Sequence, residues 1–158
     1  MTEVLPSVLV LGVLAAAALW LTISRGGVTA GAAAVRPAVW AAAIATAAQA
    51  GHFVEELTTG FHQRLPAAFG LPPLSRPLFV TFNLVWLAIW AVSTWGLARR
   101  RHVALFPLWF LGIAGVANGL LHPLLALNAG GYFPGLATSP LMAAVGALLL
   151  ARLSRVTA

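Results

Sequence analysis

Leu78–Ala98 reads LFVTFNLVWLAIWAVSTWGLA, twenty-one residues without a charge, and Arg99-Arg100-Arg101 follows at once. A helix needs about 20 mostly apolar residues to cross about 30 Å of hydrocarbon, and arginines gather in the loops that stay in the cytoplasm. The segment therefore predicts a transmembrane helix ending at an inner loop. Four more stretches qualify, at roughly Val4–Ser24, Ala38–Thr59, Val103–Asn128 and Leu136–Leu153. Helices are expected throughout, because hydrocarbon offers no water to satisfy an open backbone. The expected fold class is all-α: one polytopic membrane bundle over residues 1–158, with about five spans.

Composition agrees. Only 8% of the residues are charged and 61% are hydrophobic, whereas a soluble domain carries roughly 25% charged residues to face water. All nine basic residues are arginine. They stand singly or in one triplet between apolar runs, which excludes a nucleic-acid surface and marks loops instead. With five crossings, Arg25, Arg36, Arg99, Arg100, Arg101, Arg152 and Arg155 share one side, and Arg64 and Arg76 share the other. That asymmetry predicts an N-terminus outside and a C-terminus in the cytoplasm. The first residues, Met1-Thr2-Glu3-Val4, carry no basic region, so the first segment reads as a retained helix rather than a cleaved signal. There is no cysteine, which removes disulfides and thiolate metal sites. The long outer loop Gly60–Arg76, GFHQRLPAAFGLPPLSR, is too apolar for a free loop and too broken for a span. An interfacial or re-entrant segment, able to act as a lid, is expected there.

The chemistry concentrates in a few residues. Glu55 and Glu56 lie inside the second span, just after His52, where a charge costs about 2.5–3.5 kcal/mol even on the lenient insertion scale. On a helix, Glu56 falls about 40° to one side of His52 and Glu55 about 60° to the other, with Gln49 and Thr59 in the same sector. In the fourth span, Asn118 and His122 are four apart and share a face. Counted from the inner ends at Ala38 and Val103, the two stripes lie at the same depth, and Thr81 and Asn83 join them from the third span. Polar residues of three helices thus converge on one outer layer. Three uses of that layer are open: a metal site, a metal-free polar or proton-transfer site, and packing polarity.

The chain resembles the HXXEE family of small bacterial integral membrane proteins. The likeness rests on His52-Phe53-Val54-Glu55-Glu56, then His122, then Tyr132-Phe133-Pro134-Gly135, in that order. It implies a membrane protein with these residues at its working site, and it implies no particular activity. Pro134-Gly135 fits the centre of a type II turn. On that turn, Tyr132 is either an interfacial aromatic or a donor folded back over the site.

The expected function is an integral membrane enzyme acting on a lipid or isoprenoid-like substrate, by hydrolysis or by protonation-driven isomerisation or cyclisation. His52, Glu56 and His122 are the expected ligands of one divalent metal, zinc, iron or manganese. Glu55 is expected to carry the proton, Asn118 to orient a ligand or the substrate, and Tyr132 to donate. The alternatives are an ion or proton-coupled transporter and an accessory subunit whose cluster locks helices. Membrane lipid and an apolar small molecule are the expected partners. His62 is either a further ligand or loop polarity, and His102 is expected to be solvated. Trp20, Trp95 and Trp109 are expected in an inner aromatic belt. On the third span, the Trp86–Trp90 face is either packing or a wall for a flat apolar substrate.

Overall fold

The computed structural model describes residues 5–158, with side chains from residue 9 onward; Val4, the expected start of the first span, lies outside them. The chain forms α1 (Leu5–Ser24), α2 (Ala32–Thr59), α3 (Phe61–Ala67), α4 (Arg76–Ala98), α5 (Leu105–Asn128) and α6 (Ser139–Val156). A 3₁₀ turn at His102–Ala104 leads into α5. Among the described residues there are no strands, only an isolated bridge between Val28 and Thr157. The all-helical expectation holds. Three segments are long and apolar enough to cross a membrane: Arg76–Ala98, His102–Asn128 and Ser139–Val156. The 28-residue α2 is not among them, being rich in alanine and carrying the polar stripe.

The core centres on α5, which packs against α1, α2, α4 and α6. Its first half is buried almost all round, at Leu105, Leu108, Trp109, Phe110 and Leu111. Trp109 therefore sits inside the bundle, 1% exposed, and not in the expected belt, whereas Trp20 and Trp95 are exposed. The α5–α6 seam is built from small residues. A Cβ on Gly115 would meet the Met142 carbonyl oxygen at 2.9 Å, and one on Gly146 would meet that of Gly112 at 2.7 Å. Without side chains between them the two backbones touch, as small residues allow in membrane helices. This close approach brings the start of α6 against the second half of α5.

The two ends of the bundle differ. At one, Arg25 Nη1 donates to the Ser154 carbonyl oxygen (3.3 Å), and exposed His102 lies 3.3 Å from that of Thr22. The end of α1, the Arg99–Arg101 turn and the end of α6 meet there. At the other end, α3 folds the Gly60–Arg76 loop back on the bundle. The backbone N–H of Leu74 donates to the His62 carbonyl oxygen at 2.8 Å. Phe61 stacks near Phe79, Phe133 and His122, with ring centroids 6.0, 6.2 and 5.5 Å away. The loop thus carries a short helix whose Phe61 lies beside His122.

Candidate metal centre

Helix α2 buries Gln49, His52 and Glu56 along one face. Spacings of three and four residues place them one above another, toward α5 and α6. From α5 comes His122, 2% exposed, and the two imidazoles meet edge to face at 4.8 Å. Glu56 Oε1 lies 3.5 Å from His52 Nε2 and 3.5 Å from His122 Nε2. Ligand atoms of His52, Glu56 and His122 all lie within 4.8 Å of one another. Ligands 2.0–2.2 Å from a tetrahedral ion sit about 3.3–3.5 Å apart, so two of the three edges already suit one. The expected trio is brought together and can hold a metal ion.

The rings are oriented from behind. His122 Nδ1 lies 2.6 Å from the Pro134 carbonyl oxygen. A carbonyl only accepts, so Nδ1 carries the proton and Nε2 is left with its lone pair. His52 Nδ1 lies 2.6 Å from Thr138 Oγ1, whose hydroxyl donates to Glu55 Oε2 at 2.5 Å. That hydroxyl has one proton and gives it to the carboxylate, so it accepts from His52, whose Nε2 likewise keeps its lone pair. Two lone pairs and a carboxylate oxygen therefore face each other. Outer partners that fix the tautomer in this way accompany metal-ligating histidines in general.

Glu55 is engaged differently from its expected role. Its carboxylate accepts from the Tyr132 hydroxyl (2.5 Å), the Ala137 amide (2.9 Å), and the amide and hydroxyl of Thr138 (2.8 and 2.5 Å). With both oxygens occupied, it anchors the loop between α5 and α6 and does not line the cavity described below. Tyr132 is indeed a donor, but to Glu55, and it is 45% exposed. Partial burial, and next this bond, raise its phenol above the ordinary value. Asn118 Nδ2 lies 3.4 Å from His52 Nε2 and faces the cavity, as an orienting group would. His62 stays outside the cluster, buried and stacked on Phe79 at 5.8 Å.

The loop supplies what the turn residues promised. The Leu136 amide donates to the Phe133 carbonyl oxygen at 3.0 Å, and Gly135 has φ +88°, as a type II turn on Pro134-Gly135 requires. The turn also places Gly135 flat against both imidazoles. The residue that sequence reasoning missed is Thr138, which links Glu55 to His52. The signal available was the unmet need of a membrane carboxylate for donors, in a segment lying just past the Pro-Gly turn. Replacing Thr138 with valine keeps the shape and removes the link. Metal affinity is expected to fall about 10–100-fold, as for lost outer partners elsewhere, and serine should restore most of it. Competition with a chelator measures this; unchanged affinity in the valine protein would show that the link does not orient His52.

Glu56 and His122 open onto a cavity of about 430 Å³ between α1, α2, α4, α5 and the loop. Gln49, Asn83 and Asn118 are its other polar walls. Trp86 and Trp90, 5.5 Å apart, form an aromatic side with Phe110, and Trp90 Nε1 donates to the Pro107 carbonyl oxygen at 3.0 Å. The two indoles thus both pack and line space. Comparison of the chain with protein-family models, curated proteins and solved structures gives no match.

Proposed function

We propose that the chain is a metal-dependent integral membrane enzyme acting on a lipid or isoprenoid-like substrate, with one divalent ion held by His52, Glu56 and His122. The observation that carries this is the pair of Nε2 lone pairs facing the Glu56 carboxylate at the edge of an apolar cavity. His52 Nε2 meets only the long 3.4 Å approach of the Asn118 amide, and the three acceptors with no proton shared among them suit a cation. Three protein ligands beside an open space are the arrangement of catalytic sites, which keep a position for substrate or water. Zinc, iron and manganese all suit histidine and carboxylate donors. Such an ion would supply Lewis acidity. The chain's own part is to orient and exclude. Asn118, Gln49 and Asn83 offer amides to a polar head, and the aromatic wall keeps water from an apolar tail. Hydrolysis and protonation-driven isomerisation or cyclisation both fit this arrangement. An ion path would instead need polar groups continuing past Trp90, where the cavity wall is apolar.

The residues that carry the likeness to the HXXEE family are read here as one working unit. Glu55 takes Tyr132, His122 takes Pro134, and Gly135 lies against both rings. We read α1, α2, α4, α5 and α6 as five crossings of a bacterial cytoplasmic membrane, with α3 at the outer interface. The N-terminus is then outside.

Elemental analysis of protein purified in mild detergent without added metal tests the centre. About one divalent ion per chain is expected. Protein without metal that also takes up no added zinc, iron or manganese would sink the proposal. The topology is tested separately. A cysteine at Arg100 should react with an impermeant thiol reagent only after the cells are opened, and labelling from outside would reverse the orientation.

A further inference from the structure

The cavity beside the proposed centre has no cationic wall. Among the described residues that line it, the polar ones are Gln49, Glu56, Asn83, Asn118 and His122, and the rest are aliphatic or aromatic. The chain has no lysine. The arginines nearest the loop wall, Arg64 and Arg76, are both exposed, and the guanidinium of Arg64 lies 5.4 Å over the Phe133 ring. Phosphate heads are recognised by arginine forks, lysine charges or several backbone amides. The lining offers neutral amides instead.

Charge points the same way. Two neutral imidazoles, the Glu56 carboxylate, the Glu55 carboxylate behind Thr138 and one divalent ion sum to zero. A neutral ligand leaves that balance intact. A diphosphate would bring further negative charge into an apolar space with nothing to neutralise it, at a large desolvation cost. The route in is equally apolar. Leu11 and Leu14 of α1 and Leu78 and Phe82 of α4 line the cavity together, while among the described residues α1 packs on α5 and α4 on α2 and α5, not closely on each other. An apolar tail can pass between α1 and α4.

We infer that the substrate is an uncharged long-chain molecule, an isoprenoid or acyl chain ending in an alcohol, aldehyde, ester or epoxide oxygen, and not a diphosphate or a phospholipid. This rests on the metal-centre proposal for where the oxygen binds. The head lies among Glu56, Asn118 and His122, and the tail runs along Trp86 and Trp90.

The test uses the full chain in lipid nanodiscs with farnesol and farnesyl diphosphate as probes, read by the fluorescence of its tryptophans. Farnesol is expected to bind at least about tenfold more tightly than the diphosphate, a difference of about 1.4 kcal/mol. Ala114→Leu, which fills the cavity wall, should weaken farnesol about tenfold and leave metal content unchanged, separating cavity binding from partition into lipid. A diphosphate bound as tightly as farnesol overturns the inference. So does farnesol binding that Ala114→Leu leaves unchanged, or binding of neither probe. Metal content in the same samples reports on the centre by itself: protein without metal that keeps the farnesol preference supports the neutral ligand and overturns the metal.

Discussion

His122→Ala protein, purified as the wild type is, should contain no more than background divalent metal. The substitution deletes one of the three proposed ligands and leaves Glu56 facing His52 alone. Loss of an outer partner already costs about 10–100-fold in affinity, so loss of a direct ligand should exceed about a hundredfold. Glu56→Gln should behave alike, because the carboxylate supplies the only anionic donor among the three ligands. Glu55→Gln should differ. It keeps the metal bound but loosens the loop, since an amide replaces a carboxylate that accepts four hydrogen bonds. Tyr132→Phe, which removes one of those bonds, should retain metal near the wild-type level. Elemental analysis beside circular dichroism in the same detergent separates lost metal from lost fold. A folded His122→Ala protein with a full complement of metal would place the ion elsewhere.

Gly135→Ala should be strongly destabilising. Gly135 has φ +88°, where an alanine pays about 1–2 kcal/mol. Its new Cβ would also collide with Cε1 and Nδ1 of His122 and lie 2.9 Å from Cε1 of His52. Overpacking costs about 1–3 kcal/mol more, and here the displaced atoms are the rings of two proposed ligands. Destabilisation of about 2–5 kcal/mol is expected from the two terms together, with metal lost as well. Gly130→Ala is the control. It has φ +68° and nothing within 4 Å of a built Cβ, so it should pay the backbone cost alone and keep its metal. Thermal unfolding of both proteins measures the difference. Equal melting points with metal intact in both would mean that the turn does not press on the rings.

Helix placement was readable from the chain because it depends on local things. The expected ends at Ser24, Thr59, Ala98 and Asn128 coincide with the observed ends of α1, α2, α4 and α5, whereas α2 begins at Ala32 rather than Ala38 and α6 runs Ser139–Val156 rather than Leu136–Leu153. Apolar length, Gly60, the arginine triplet and Pro77 in the first turn of α4 act within a few residues of the boundary they set. The meeting of His52, Glu56 and His122 was readable too. Helical periodicity places His52 and Glu56 on one face, equal depth in parallel helices matches His122 to them, and lipid repels any other orientation. Trp109 departs from the expected belt, because belt statistics do not register a helix packed against α1, α2, α4 and α6.

The division of labour between the two glutamates belongs to the tertiary fold. Adjacent in the chain and similar in chemistry, Glu55 and Glu56 differ by about 100° around the helix, and only the neighbours on each side give that angle meaning. On Glu56's side stand two imidazoles and a cavity; on Glu55's side stand the donors of a loop about 80 residues further on. Thr138 acquires its place between Glu55 and His52, 86 residues away from the latter, because the glycine seam draws α6 onto α5. Spacing and hydropathy speak for one helix at a time. Which ring nitrogen keeps its lone pair, and which carboxylate remains free to face it, depends on partners that distant segments bring within 3 Å.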